Sequence, residues 1–369
     1  MKKVWAFLLT AAVGASLLAG CGSSQTASSA SAAAASVSAA STAASASAAS
    51  GSEASSSESS EAESKASSSA ASGADSSSSS KPSEDRSGNK ITIPDTVDRI
   101  ISMSPAQTEM LDDLGLIDKV VACDTQSPKY VSDLPAGIPQ FDMMSPDNEK
   151  ITALNPDIVF TSGMSSYGGD DVYQSVRDAG ICVADIPSST SVEGIQEDIR
   201  FVADCVGQSQ GGEKVIEEMQ KSIDEITAIG SKITDKKTVL FEISGSPSIY
   251  SVGKDTYIDE MISLIGAKNV MGDQESWISV TDEAAIAANP DVILTGSDQS
   301  QNPVGDIMSL PGWENVTAVK NQAVNYINND SVMIPSEKIV EALREMAVAV
   351  YPDEYAAVAS EITGNDDGV

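Results

Sequence analysis

The chain has 369 residues, 54 of them acidic and 22 basic, with no histidine and a formal net charge of −32. So acidic a surface repels nucleic acid and anionic lipid. Without imidazole there are no histidine-ligated metal sites, no histidine-based triads and no histidine general bases.

The N-terminus reads as an export signal. Lys2 and Lys3 precede the apolar run VWAFLLTAAVGASLLAG and then Cys21. A basic n-region, a short h-region and small residues before a cleavage point describe a secretory signal, and the run is short for a transmembrane helix. LLAGC resembles the bacterial lipobox, which implies a diacylated Cys21 as the mature N-terminus and an extracytoplasmic chain anchored to the cell membrane. An ordinary signal peptide with a chance cysteine is the alternative. Residues 1–21 are therefore assigned to the signal. Residues 22–88 are almost wholly serine and alanine with scattered acids. They cannot bury enough apolar surface to offset chain entropy, so they are expected to form a disordered tether. A Gly/Ser-like coil of this length spans on the order of 45 Å r.m.s..

From about residue 89 the chain keeps 47 of the acids and 17 of the bases, and its length suits two lobes. It holds Cys123, Cys182 and Cys205. An odd count argues against a full disulfide framework; free buried thiols are the default, with one bridged pair left open. RIISM (99–103) reads as a buried strand, and Ser104-Pro105 starts a helix as N-cap and first residue. Met110, Leu111 and Leu114 give that helix an apolar face, and Gly115 ends it. VVAC (120–123) is the next strand, followed by a helix from Glu149, the strand DIVFT (157–161), a helix at 171–180 and the strand CVADI (182–186). This alternation implies βαβ units and a parallel sheet, and runs such as IVF and VIL fit strands covered on both faces.

Residues 212–233 form a long helical pattern, with Val215, Ile216, Met219, Ile223, Ile226 and Ile229 at three- and four-residue steps. A second set of strands follows. TVLFEI (238–243) leads into an expected loop at 244–253, a helix at 255–266, the strand WISV (277–280), another helix, the strand VILT (292–295), a strand near 323–327 and a helix at 336–351. The fold class is α/β, with a first lobe at 89–209, a connecting helix at 210–235, a second lobe at 236–353 and an acidic tail at 354–369.

One pattern occurs twice. EKITALNPDIVFT (149–161) is echoed by EAAIAANPDVILT (283–295), with the glutamate, the Asn-Pro-Asp and the closing threonine at the same offsets. Proline drives the asparagine before it out of the helical region, and aspartate begins the turn. Each strand ends in threonine and a glycine-bearing loop, TSGM (161–164) or TGSD (295–298). Ligands of open α/β sheets bind beyond the carboxyl ends of strands, so each lobe offers a loop to a shared cleft.

From about residue 91 to 352 these residues resemble a class III periplasmic binding protein, of the branch serving ABC importers of ferric siderophores, haem and cobalamin. The resemblance rests on RIISMSPAQTEML (99–111), NEKITALNPDIVF (148–160), WISVTDEAAIAANPDVIL (277–294) and PGWENVTAVKNQAVNYI (311–327), in that order. It implies two Rossmann-like lobes joined by one rigid helix, with a ligand cleft between them. It also implies delivery to a membrane permease driven by a cytoplasmic ATPase. No GxxxxGK[ST] and no G-x-S-x-G is present, so neither an ATP site nor a serine hydrolase is expected. No catalytic residue, metal site or cofactor is assigned, and the chain is expected to act as a monomer.

Ser104, Pro105 and Ala106 resemble a cleft loop of the first lobe, or simply cap a helix. Phe141 with the DMM after it lines a pocket wall or packs the core. Ser162, Gly163 and Met164, with Tyr167 beyond, lie on the loop after DIVFT; Gly296 and Ser297 are their second-lobe counterparts. Tyr250 and Trp277 are the aromatic candidates, since a flat face gives a large chelate both area and stacking. Cobalamin binders resemble this chain in carrying a tryptophan where Trp277 stands, whereas Trp313 reads as structural. In the body from residue 89 arginine is scarce, at Arg99, Arg177, Arg200 and Arg344. That composition suits a roughly neutral corrinoid first, a ferric siderophore second, and haem or another chelate third. Glu149 and Glu283 each gain roughly 0.3–1 kcal/mol from a helix N-terminus, and the resemblance implies that they dock onto arginines of two permease subunits. A surface chelate sensor or a haem-binding lipoprotein of the same fold is the competing reading.

Overall fold

The computed structural model of the chain describes residues 81–166, 171–246 and 248–359. Cys21 with the expected signal, the tether up to residue 80, Tyr167 and the end of the acidic tail lie outside them.

The first lobe carries strands β1 (Ile100–Ser102), β2 (Val120–Asp124), β3 (Gln140–Phe141), β4 (Ile158–Ser162) and β5 (Cys182–Ile186). They form one wholly parallel sheet in the order β3-β2-β1-β4-β5. Its helices are α1 (Pro105–Asp113), α2 (Ser127–Tyr130), α3 (Asn148–Ala153), α4 (Gln174–Asp178) and α5 (Val192–Cys205). The chain leaves β1 in one direction and returns to pair β4 on its other side. A crevice therefore opens at the carboxyl ends of β1 and β4, the switch point of the sheet. Ile101, Val159 and Val183 bury one face of this sheet, and Ile100, Phe160 and Ala184 the other.

Helix α6 (Ser209–Gly230) connects the lobes, starting three residues ahead of the sequence pattern. Ile216, Met219, Ile223 and Ile226 form its buried stripe within the same apolar cluster as β1 and β6 residues, so the core runs continuously through it. Its last residue must be glycine: a Cβ on Gly230 would sit 2.2 Å from the Leu264 carbonyl oxygen.

The second lobe holds β6 (Thr238–Ser244), β7 (Ser248–Val252), β8 (Lys268–Asn269), β9 (Trp277–Thr281), β10 (Val292–Thr295) and β11 (Val324–Tyr326). Around them lie α7 (Tyr257–Leu264), α8 (Asp282–Ala288), α9 (Pro303–Met308), α10 (Thr317–Lys320), α11 (Asn329–Val332) and α12 (Ile339–Val350). The sheet order is β11-β10-β6-β7-β9, with β8 beside the start of β6. Its β10 pairings are parallel as expected, but β7 runs antiparallel to both neighbours. The expected loop at 244–253 is thus half strand. Ile249 and Val252 bury on opposite faces of the sheet, and β6 and β9 satisfy the backbone on both sides.

Residues 81–88, which the sequence assigns to the tether, fold onto the first lobe. The Asp85 carboxylate accepts the Asp185 amide of β5 (3.0 Å), and the Arg86 guanidinium pairs with buried Asp198 of α5 (2.7 Å). Asp85 and Arg86 end the serine run, and they hold its last residues down. The three body cysteines are free and buried. Burial pushes the Cys123 thiol up to about 12 and the Cys182 thiol up to about 11, so both stay protonated and unreactive.

The repeated Asn-Pro-Asp does the same work in each lobe. Asn155 and Asn289 both take a left-handed backbone, at φ 47° and 44°, where asparagine is tolerated. The aspartate then clamps the lobe's first strand. Asp157 Oδ2 accepts the amides of Asp98 and Arg99 just before β1 (2.8 and 2.9 Å), and Asp291 Oδ2 accepts the Thr238 amide and hydroxyl at the start of β6 (2.8 and 2.7 Å). Asp291→Ala strands both Thr238 donors and is expected to cost about 1–3 kcal/mol in urea unfolding. A change below a few tenths of that would mean water replaces the clamp.

Candidate functional site

The carboxyl ends of the parallel strands in both lobes converge on one region. In the first lobe, Ser104 and Ala106 are only 8% and 5% exposed. The Ser104 side chain makes no cap bond, while its carbonyl accepts both the amide and the hydroxyl of Thr108 (3.1 and 3.0 Å). Thr108 is one link in a buried hydroxyl chain that also includes Ser102 and Ser127 (2.8 and 2.7 Å), and Ser127 in turn bonds Asp124. The segment 104–106 is thus buried just past the carboxyl end of β1. A Cβ on Gly163 would come within 3.2 Å of Pro187 Cα and the Ser188 nitrogen, so the loops after β4 and β5 pass in close contact. Ser162 is buried, with its hydroxyl against Met143 Sδ (3.9 Å). The Met164 side chain falls outside the described positions. Phe141 does both: it packs in the cluster of Ile101 and Val159 and borders a cavity of about 520 Å³, while Met144 three residues on is the exposed apolar group of that segment.

In the second lobe, Tyr250 and Trp277 share a sheet face. Tyr250 pairs with Ser279 and Val252 with Trp277, so the two rings are diagonal neighbours across β7 and β9. They differ in burial. Trp277 is partly buried and meets buried Tyr257 edge-on, with centroids 6.0 Å apart at 66°. Tyr250 lies nearer the carboxyl end of β6, opposite Ser244, and is exposed. The large apolar side chains left exposed among the described residues are Met144, Tyr250 and Tyr326. Each stands at or just past a strand's cleft end, Tyr326 closing β11. Tyr326 was not legible in the sequence, where it reads as one more residue of a short strand. Gly296 is needed for packing, since a Cβ would sit 3.0 Å from Val332 and 3.3 Å from Phe241, and Ser297 beside it faces a cavity of about 310 Å³. Trp313 is structural as expected, 2% exposed in the second lobe's outer core.

The lobes touch across the cleft. Lys129 on α2 reaches Asp298 (3.2 Å) and Asp330 (3.7 Å) at its mouth, a solvated contact of small worth. Deeper, buried Glu109 of α1 accepts from Ser336 (2.6 Å) and Lys338 (2.9 Å) ahead of α12. The arginines are committed elsewhere. Arg99 caps α3 through the Leu154 carbonyl (2.7 Å), Arg177 holds Asp171 (2.9 Å), Arg200 holds Glu213 (2.6 Å) and Arg344 donates to Ser222 (2.8 Å).

Glu149 and Glu283 occupy equivalent points. Each is the exposed second residue of a short helix, α3 or α8, behind a side chain that caps it. Asp147 accepts the Lys150 amide (3.1 Å), and Thr281 accepts the Ala284 amide (3.3 Å). α3 begins beyond the carboxyl end of β3, and α8 directly after β9, whose carboxyl end lies level with that of β6. Both glutamates therefore stand on the cleft side of their lobes.

Two α/β lobes with opposed strand ends, one joining helix and a cleft lined by loops define a bilobed solute-binding protein. The chain belongs to the periplasmic binding protein family, whose pattern matches residues 100–331. It is 30% identical over 276 residues to YvrC of Bacillus subtilis strain 168, named an uncharacterized ABC transporter substrate-binding lipoprotein, covering 74% of this chain and 86% of that one. A cobalamin-binding protein of Halobacterium salinarum is 23% identical over 278 residues, 72% of this chain and 73% of its own. Among solved structures, a possible iron-binding, periplasmic solute-binding protein from Staphylococcus epidermidis is similar with a TM-score of 0.62 and 27% identity, covering 69% of this chain and 99% of that one. The chain is thus a substrate-binding protein of the ABC-importer kind, a class that works with a permease and an ATPase.

Proposed function

We propose that this chain is a lipid-anchored, extracytoplasmic and non-enzymatic binding protein that captures a metal chelate, a corrinoid in the first place, and delivers it to an ABC permease. The observation that carries this reading is the cleft edge itself. Met144, Tyr250 and Tyr326 lie exposed there, with partly buried Trp277 diagonal to Tyr250 and further from the strand ends, while the four body arginines that could meet an anionic chelate are engaged by the protein. Aromatic area, with the mouth lysine Lys129 already paired to Asp298 and Asp330, suits a large, roughly neutral ligand. The name of the Halobacterium relative supports a corrinoid, and the lipoprotein name of the Bacillus relative supports acylation of Cys21. The similarity to a possible iron-binding protein keeps a ferric siderophore as the second reading.

Tyr250 and Trp277 separate by experiment. Tyr250→Ala is expected to weaken corrinoid binding by about 1–3 kcal/mol with little loss of stability, and Trp277→Ala to lower both affinity and Tm, because its ring also packs on Tyr257. Calorimetric titration and thermal melts check this; unchanged affinity in both variants would place the ligand elsewhere. The function is tested by uptake of radiolabelled cobalamin and ferric hydroxamate into cells lacking the chain. Wild type is expected to restore one of them, Cys21→Ala much less. Uptake that never depends on the chain would favour a surface sensor.

A further inference from the structure

Glu242 lies on β6, two residues before its carboxyl end, and is 4% exposed. The Thr295 hydroxyl stands near its carboxyl, yet Oε2 has no hydrogen-bond partner. The group borders the cavity of about 310 Å³ at the ends of β6 and β10, with Ser246, Ser297, Ser300, Asp306 and Ile307 among its other walls. Gly245 keeps the carboxyl uncovered, for a Cβ there would crowd Oε1 at 3.2 Å. Ser246 donates to Asp282 Oδ2 (2.8 Å), and Asp282 Oδ1 is a second buried acceptor without a partner. No lysine or arginine lines the cavity. An unpaired buried acceptor costs about 1–3 kcal/mol, and such groups are ordinarily satisfied.

We propose that this cavity is a subsite of the cleft that receives a nitrogen–hydrogen donor projecting from the ligand, an amide or an ammonium, with Glu242 as the acceptor. The proposal rests on the chelate-binding reading above and narrows it. Two carboxyl side chains, three serine hydroxyls and no cation give a surface that accepts N–H and repels carboxylate. Among the described residues no cluster of three metal-ligating side chains occurs, so the acceptors point to an organic donor rather than a bare cation. The volume lies at the small end for ligand sites and fits one side arm of a chelate, not its metal-bearing ring. Burial, and then Asp306, holds the Glu242 carboxyl above its usual range, and an approaching ammonium relieves both costs. Chelates with amide or ammonium arms are thereby favoured over those that end in carboxylates.

The test uses the mature chain with 13C-labelled glutamate, the Glu242 carboxyl resonance being assigned by its loss in Glu242→Gln. Butylammonium and propionamide are expected to shift that resonance saturably, and propionate to leave it unmoved. In Glu242→Gln, butylammonium affinity, read on the ligand, should fall about tenfold, the value of a hydrogen bond to a charged group. Asp306→Asn, at an exposed wall, is expected to cause a smaller loss and serves if the first variant does not fold. Equal butylammonium affinity in wild type and variants, a propionate response matching the others, or no response at Glu242 would overturn the subsite. Parallel titrations with cyanocobalamin and an ammonium-tailed ferric hydroxamate keep the two claims apart. If the fragments bind and neither chelate does, the chelate reading falls and the donor site stands.

Discussion

A chain carrying Glu149→Arg and Glu283→Arg together is expected to bind its chelate as wild type does and to lose most of its stimulation of the permease's ATPase. Both side chains are exposed first-turn residues that make no ion pair among the described residues, so reversing them costs the fold little beyond roughly 0.3–1 kcal/mol of helix-end electrostatics each. That small local role explains one glutamate but not two at matched positions behind matched caps. One anchor per lobe fixes the orientation of a bilobed body over a channel, and rim charges act chiefly on encounter rate and salt dependence. Each single reversal is expected to weaken docking about tenfold, and the double variant to do worst. Reconstituted permease with saturating loaded binding protein provides the assay. Normal ATPase stimulation together with poor chelate binding would move these glutamates from docking to the pocket.

The stability of the wild-type chain is expected to fall as pH rises from about 5 to 8, and Glu337→Gln to remove much of that slope. Glu337 precedes α12 at the lobe contact, 8% exposed, with neither carboxyl oxygen hydrogen-bonded. Burial first, then Asp113 and Glu109 of α1, pushes it from 4.5 up to about 8, with Lys338 as the only cation opposing them. Between those values the folded chain holds a proton that the unfolded chain has released, so unfolding gains with each step of pH. Below 4.5 both states are protonated and the penalty vanishes; above about 8 both are ionised and it is complete. Its upper bound is about 5 kcal/mol. Burial also raises Glu109 and Asp113, so some slope persists in the variant. Urea unfolding at pH 5, 7 and 9 decides, and parallel curves for wild type and Glu337→Gln would show that Glu337 ionises freely in the fold.

The order of elements was legible because hydrophobic period and turn residues are local signals. The strands at Ile100, Val120, Ile158 and Cys182 fall where unbroken apolar runs placed them, and α6 where the isoleucine steps did. The duplication pointed to paired helices, and both glutamates prove to be first-turn residues behind capping side chains. What the pattern hid was partnership at long range. Asp157 and Asp291 looked like turn residues, yet they clamp strands 58 and 53 positions away. β7 hid in a Gly/Ser/Pro stretch because its pairing with β6 and β9, not its composition, makes it a strand. Phe141 and Trp277 carried the same ambiguity of every apolar residue near a strand end, and their packing against Ile101 and Tyr257 comes only with the fold. Glu242 drew no attention in TVLFEI, where the run signals only a strand.

The most direct measurement is a fluorescence titration of the purified mature chain against cobalamin, a ferric hydroxamate and haemin. One of the three, cobalamin first, is expected to quench tryptophan emission saturably at one ligand per chain, with Trp277 diagonal to the exposed Tyr250 and Trp313 buried in the outer core. Loss of Trp277 should remove most of the quenching, while loss of Trp313 should not. If none of the three binds, the chain does not carry such chelates, and the aromatic cleft edge serves another ligand.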